Sequence, residues 1–333
     1  MPSSAVHTFS DPDDYAARIR QGTVEMTVTE RGSFSASLVQ ITFHRLWMQR
    51  FSERLARTSH IAGWGRRAVI VFQTQPGPSL FSGGLDLGPT NILRHSEGQS
   101  YYRRSSGFTS YGAMSLPVGE IATVGEAMAG FDLTPPRDAI LITPAPAAML
   151  RLRRLHAAAG YLAEGAPEII ANPDAARGLE QALIEALVGC IACGDARENS
   201  LAQGQHAIVM RRFHRVVEEH VGEPLYIPEI CTAIGISERT LRICCQEHLG
   251  MGAEALPVAP PHASGAAGVA PGRPGCDIGN GHRDAVRLLG ARALRRRVSH
   301  AVRRVSVHHT ASAVRIVSAS ICRICIAGQR SDA

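Results

Sequence analysis

The chain contains no lysine, so all 35 of its basic side chains are arginines. Its formal net charge of +6 permits association with polyanions, although charge alone identifies no partner. No apolar run reaches the roughly 18 residues that a membrane-spanning helix needs. Residues 1–14 lack the basic segment and apolar run of a secretory signal. We therefore expect a cytoplasmic protein with no membrane partner.

Clustered metal ligands are also scarce. Two C-x-x-C pairs, Cys190 with Cys193 and Cys322 with Cys325, have the spacing of half a zinc ribbon each. They lie far apart in the chain, and the first pair closes an apolar helical segment. We interpret these cysteines as reduced thiols that pack as small apolar residues, and we expect no bound metal or cofactor.

A metal-dependent enzyme of the cupin type is an alternative reading of the first half of the chain. Such a site needs clustered histidines and a carboxylate on adjacent strands. His44, His60 and His95 are separate in sequence and form no His-x-His pair, and no Gly-x-Ser-x-Gly elbow or phosphate loop is present. These absences favour a protein that is not an enzyme.

The hydrophobic pattern changes along the chain from strand-like to helical. Residues 23–29, 35–43 and 68–73 are rich in β-branched residues and predict strands, within a strand-rich region that ends near residue 116. Residues 147–165 and 173–193 carry apolar side chains at three- and four-residue spacing and predict helices. This order predicts an α+β protein, with an N-terminal β-barrel-like (cupin-like) domain at residues 15–195 that ends in helices.

A polar linker is predicted at residues 196–204, followed by a helix over residues 205–220. Ile208, Val209, Phe213, Val216 and Val217 form its predicted apolar side. The opposite side carries three basic residues, Arg211, Arg212 and Arg215.

The segment after this helix has the spacing of a helix-turn-helix. Gly235 stands where the chain must leave the first helix with a positive φ, and Ser237 can cap the second helix through its hydroxyl. The predicted helix-turn-helix core consists of Ile230, Cys231, Ile234, Gly235, Ile236 and Leu241.

The second helix of this unit, residues 237–249, is the predicted recognition helix. Arg239, Arg242 and Gln246 recur at i, i+3 and i+7, which places long hydrogen-bonding side chains on one face. The N-terminal end of such a helix normally enters the major groove. The predicted DNA-binding residues are Ser237, Glu238, Arg239, Thr240, Arg242 and Gln246.

Residues 211–250 resemble the first half of the DNA-binding domain of AraC/XylS transcription regulators. The resemblance lies in the leading helix, Pro224-Leu-Tyr-Ile-Pro-Glu-Ile230, Gly235-Ile-Ser-Glu-Arg-Thr-Leu241 and His248-Leu-Gly-Met251. It implies a sequence-specific regulator that binds promoter DNA, with an N-terminal domain that binds a small-molecule effector or forms a homodimer. Residues 205–252 would then be half of a DNA-binding domain.

The remaining residues, 253–333, depart from that family. They contain no Phe, Trp or Tyr, and prolines interrupt their first part, so the second helix-turn-helix of the family cannot form from them. We back-translated residues 253–333 with GC-rich codons and read the nucleotides one base later. The resulting amino-acid sequence can contain the linker helix and the second helix-turn-helix that are missing here. We interpret this arginine-, proline- and alanine-rich tail as an out-of-frame, disordered segment that follows a frameshift near Gly252. The alternative function is a frameshifted regulator that dimerises without specific DNA binding.

Overall fold

The computed structural model describes residues 1–20, 22–63, 65–197, 200–220 and 225–251. They divide into two compact units, one of residues 1–211 with 247–250 and one that includes residues 212–246. The predictions made for residues 253–333 lie outside the described residues. No helix in the described part of the chain is long and apolar enough to cross a membrane.

Antiparallel strands form two sheets in the first unit. The large sheet has the order β1-β3-β4-β11-β6-β9-β12-β13. Its strands are β1 (Ser3–Phe9), β3 (Ala36–Thr42), β4 (Trp47–Glu53), β6 (Arg67–Gln73), β9 (Ile92–Arg94), β11 (Thr109–Pro117), β12 (Ile140–Thr143) and β13 (Asp195–Arg197). The small sheet has the order β2-β5-β10-β7-β8. Its strands are β2 (Gly22–Val28), β5 (Arg57–Gly63), β7 (Leu80–Ser82), β8 (Leu85–Leu87) and β10 (Ser100–Ser105).

Both faces of the large sheet are buried in its central strands, although the edge strands β1 and β13 are half-buried or exposed. Alternate side chains on one face, such as Leu38 and Tyr111, meet side chains of the small sheet in an inner cluster that also contains Ile61. The intervening side chains, such as Val39 and Met114, pack against helices in a helix-facing cluster. The helices of this unit are α1 (Pro12–Arg18), α2 (Val118–Ala129), α3 (Pro146–Gly165), α4 (Pro167–Ala171) and α5 (Pro173–Ala192). Most strands of this unit, β1 to β11, precede the helices α2 to α5, in agreement with the predicted order of an α+β protein.

Two predicted boundaries of the first domain differ from the structure. β1 lies before the predicted start at residue 15 and pairs with β3 along its whole length. Residues 196–204, predicted as a linker, contain the end of β13 and the start of helix α6 (Leu201–Glu219). Ser200 begins this helix because its Oγ accepts from the Gln203 amide at 3.2 Å, while Gln203 Oε1 accepts from the Ser200 amide at 3.0 Å.

Candidate nucleic-acid interface

Helices α7 (Ile227–Ile234) and α8 (Glu238–Leu249) lie at the predicted helix-turn-helix. Glu229 stabilises the start of α7, since its Oε2 accepts from the Tyr226 amide at 3.2 Å. The turn follows at Gly235, whose φ of 73° and ψ of 42° are left-handed. A residue with a Cβ is strained in this conformation, so glycine suits the exit from α7.

The cap of α8 has the geometry expected of its sequence. Ser237 Oγ accepts from the Thr240 amide at 3.1 Å and lies 2.9 Å from Thr240 Oγ1. This bond satisfies one of the amide groups that have no partner within the helix.

One face of the helix-turn-helix is buried. Ile230 and Leu241 are both 0% exposed. Cys231 and Ile234 are also buried, and burial raises the pKa of the Cys231 thiol, which keeps it neutral. Ile236, the remaining apolar residue of the predicted core, is half-buried because it lies in the turn itself.

The other face of α8 is exposed. Glu238, Arg239, Arg242 and Gln246 are exposed, as is Ser237, and Thr240 is half-buried. Glu238 lies 3.5 Å from Arg242 in a surface ion pair, which weakens readily in water and salt. Three of the predicted DNA-binding side chains, Arg239, Arg242 and Gln246, thus share one accessible side of a capped helix.

The basic side of α6 differs in part from its prediction. Arg212 and Arg215 are exposed, and Arg212 Nη1 donates to the Ile234 carbonyl at 3.5 Å. Arg211 is half-buried and donates to Gln99 Oε1 at 3.1 Å. Ile208, predicted on the apolar side, is 43% exposed, because the helical rotation of about 100° per residue places it beside and not within the buried stripe of Val209 and Phe213.

The histidines considered for a metal enzyme lie in different surroundings. His44 is exposed, while His95 is buried and stacks on Tyr101 with ring centroids 4.2 Å apart. His60 packs against the Tyr102 ring. Among the described residues, no three His, Cys, Asp or Glu side chains group as metal ligands.

Sequence reasoning did not find a buried polar network between the two sheets. Glu53 Oε1 accepts hydrogen bonds from the hydroxyls of Tyr15 at 2.6 Å and Tyr111 at 2.9 Å. Its Oε2 accepts from Arg57 Nε at 2.6 Å. Arg103 lies beside this group, 5.2 Å from the Tyr111 ring centroid. The only sequence signal is the alternation of Tyr101, Arg103 and Ser105 along one strand face.

Comparisons with known proteins found distant structural similarity. No protein-family model and no curated protein matches the chain. The AraC-like transcriptional activator CuxR is similar over 73% of this chain and 89% of its own, with 13% identity and a TM-score of 0.42. Fatty-acid-bound ToxT from Vibrio cholerae is similar over 63% of this chain and 76% of its own, with 7% identity and a TM-score of 0.28. Vicilin from hazelnut, Corylus avellana, is similar over 60% of this chain and 51% of its own, with 11% identity and a TM-score of 0.19. Because these TM-scores are low, the similarities support no conclusion about function. A functional proposal depends on the helix-turn-helix residues alone.

Proposed function

We propose that this chain is a DNA-binding transcription regulator of the AraC/XylS type and not an enzyme. Residues 237–249 serve as its recognition helix at promoter DNA. The observation that carries this proposal is the division of α8 into two faces. Leu241, Cys244 and Cys245 are buried, whereas Arg239, Arg242 and Gln246 are exposed.

The exposed face has the chemistry for reading base edges. Arginine donates a pair of hydrogen bonds to guanine, and glutamine pairs in the same way with adenine in the major groove. Arg212 and Arg215 supply further positive charge for phosphate contacts. In this proposal residues 15–195 form the effector-binding or dimerisation domain, and the protein acts in the cytoplasm.

A single recognition helix reads DNA weakly. One bidentate base contact gives only about 1 to 3 kcal/mol of discrimination, and regulators gain specificity by placing two helices one helical turn apart. We therefore propose that the chain as written binds DNA weakly and with steep salt dependence. The contributing residues are Arg211, Arg212, Arg215, Arg239 and Arg242, with the arginines of the tail. Restoring the alternative reading frame after Gly252 supplies the second motif.

The test is a salt-titrated binding assay of both chains against a promoter library. The restored chain is expected to select a defined site, and its Arg242→Ala variant to lose about 1 to 3 kcal/mol at one base position. Arg177→Ala, which removes an exposed arginine from α5, is the matched control and should bind normally. If the unrepaired chain selects a site as strongly as the restored one, the frameshift interpretation is wrong. If neither chain binds DNA, the proposed function is wrong.

A further inference from the structure

Arg103 is buried between the two sheets, and no carboxylate in the described part of the chain forms an ion pair with it. It is 1% exposed, and in the small sheet it lies opposite Ser59 of β5 and Ser82 of β7. Residues directly opposite in antiparallel strands share a face. All three are buried, so the face they share is the interior one.

The partners of Arg103 are neutral. Its Nη2 atom lies 3.3 Å from His95 Nε2 and donates to the Tyr101 hydroxyl at 3.2 Å, while its Nε donates to Ser82 Oγ at 3.4 Å. Burial and the Arg103 charge hold the pKa of His95 well below its ordinary value, so the imidazole is uncharged at neutral pH. No hydrogen bond formed by the described residues uses Nη1 of Arg103.

The neighbouring carboxylate is already committed elsewhere. Glu53 pairs with Arg57 and accepts from both Tyr15 and Tyr111, so neither of its oxygens is left for Arg103. The charges of Glu53 and Arg57 cancel, and Arg103 leaves one positive charge in the interior. A buried charge without a counter-charge is costly, which favours an anion at this position.

Two buried hydroxyls beside Arg103 have no partner among the described residues. Ser59 Oγ, directly across from Arg103, and Ser105 Oγ, two residues further along β10, form no hydrogen bond. Side chains two residues apart on a strand lie on the same face, so both serines and Arg103 face one region. Each hydroxyl can donate one hydrogen bond to an anion.

We propose that Arg103, Ser59 and Ser105 bind the carboxylate of a small organic acid between the two sheets. The single surplus positive charge matches one carboxylate, and the guanidinium fork matches its two oxygens. Tyr101 and His95, which contact Arg103, also line a cleft of the first unit together with Ser96 and Gln99. In this proposal the acid enters at this cleft. The description of this acid as the effector rests on the proposed function, but the binding itself does not.

The test uses the full chain and two probes of equal size, acetate and acetamide. Acetate is expected to raise the melting temperature in proportion to the logarithm of its concentration, and neutral acetamide is not. Calorimetric titration of the Arg103→Gln variant should show acetate affinity lower by about 10-fold or more, as loss of a charged hydrogen bond implies. Arg54→Gln removes an exposed arginine beside the same sheets and should bind acetate normally.

A second pair of variants covers the case in which Arg103→Gln does not fold. Ser59→Ala and Ser105→Ala remove hydroxyls that bond to no described residue, so both should fold and bind acetate several-fold more weakly. Equal stabilisation by acetate and acetamide, or unchanged binding in these variants, overturns the site. DNA binding is measured separately: a chain that binds DNA but not acetate refutes this site alone, and the reverse result refutes only the proposed function.

Discussion

The Nε atom of Arg57 donates a hydrogen bond of 2.6 Å to Oε2 of Glu53, and both side chains are fully buried. Burial alone acts to lower the pKa of Arg57, but the Glu53 carboxylate, together with Tyr111 and Tyr15, outweighs this effect and raises the pKa above its ordinary value. Burial, followed by the Glu53 charge, raises the pKa of Tyr111 to about 12, so this hydroxyl stays protonated and donates to Glu53. The pair is therefore the charged centre of the inner cluster.

Removing one charge of this pair should destabilise the first unit strongly. Glu53→Gln leaves the Arg57 charge buried without its partner, and we expect the free energy of unfolding to fall by about 3 to 5 kcal/mol. Urea denaturation measures this loss. Glu120→Gln is the control, because Glu120 pairs with Arg45 at the surface and should cost no more than about 1 kcal/mol. Equal small losses in both variants would contradict the expectation.

The fold could be predicted from sequence where the local order of apolar and polar residues determines which side chains are buried. Strands β2, β3 and β6 and helices α3 and α5 lie within a residue or so of their predicted positions. β-Branched residues identify the strands, and apolar side chains at three- and four-residue spacing identify the helices. β1 was missed because its residues are only half-buried or exposed, which leaves little apolar alternation to detect.

The buried network could not be predicted in the same way. Arginine is mostly exposed in proteins, so Arg57 and Arg103 read as surface residues. Their burial depends on strand register, which places Arg57 opposite Ser105 and Arg103 opposite Ser59 across β5 and β10. The exposed face of α8 was easier to predict, since helical spacing alone places Arg239, Arg242 and Gln246 together.

Acid should destabilise the protein in part through His156. Burial, followed by the Arg50 charge, lowers the pKa of this fully buried imidazole to about 3. Below the ordinary value of about 6.5 the unfolded chain binds a proton at this position and the folded chain does not. Stability from this group is therefore complete above pH 6.5 and falls by about 1.4 kcal/mol per pH unit as the pH drops toward 3.

The variant His156→Gln should reduce the slope of unfolding free energy against pH by that amount between pH 6 and 5. Urea denaturation at several pH values measures the slope. His44→Gln is the control because His44 is exposed. A slope that is the same in wild type and His156→Gln would count against the predicted titration.

Gly112 leaves room for the ring of His156. A Cβ at residue 112 would lie 2.7 Å from Cε1 and Nε2 of His156 and 3.0 Å from Cζ of Phe72. Since β11 and the His156 ring are both held in the core, we expect Gly112→Ala to cost about 1 to 3 kcal/mol. Gly178→Ala, in the exposed interior of α5 with nothing within 4 Å of the added Cβ, should instead stabilise by up to about 1 kcal/mol. Thermal unfolding compares the two variants, and the same sign for both would contradict this reading.

The contribution of the Ser237 cap to the stability of α8 should be measurable without DNA. Ser237→Ala removes the acceptor of the Thr240 amide, and the expected cost is about 1 kcal/mol. Ser237→Thr retains a hydroxyl and should cost less. Denaturation followed by helical circular dichroism tests both variants, and an unchanged midpoint in Ser237→Ala would exclude a stabilising cap.

Strand β11 hydrogen-bonds to β4 and β6 on its two sides, and its side chains alternate between the inner and the helix-facing clusters. Local opening of this strand exposes both clusters at once, so its amide protons should exchange only when the whole unit unfolds. The two clusters then share a single cooperative transition. A core substitution on either side of the large sheet would thus accelerate exchange on the other side as well.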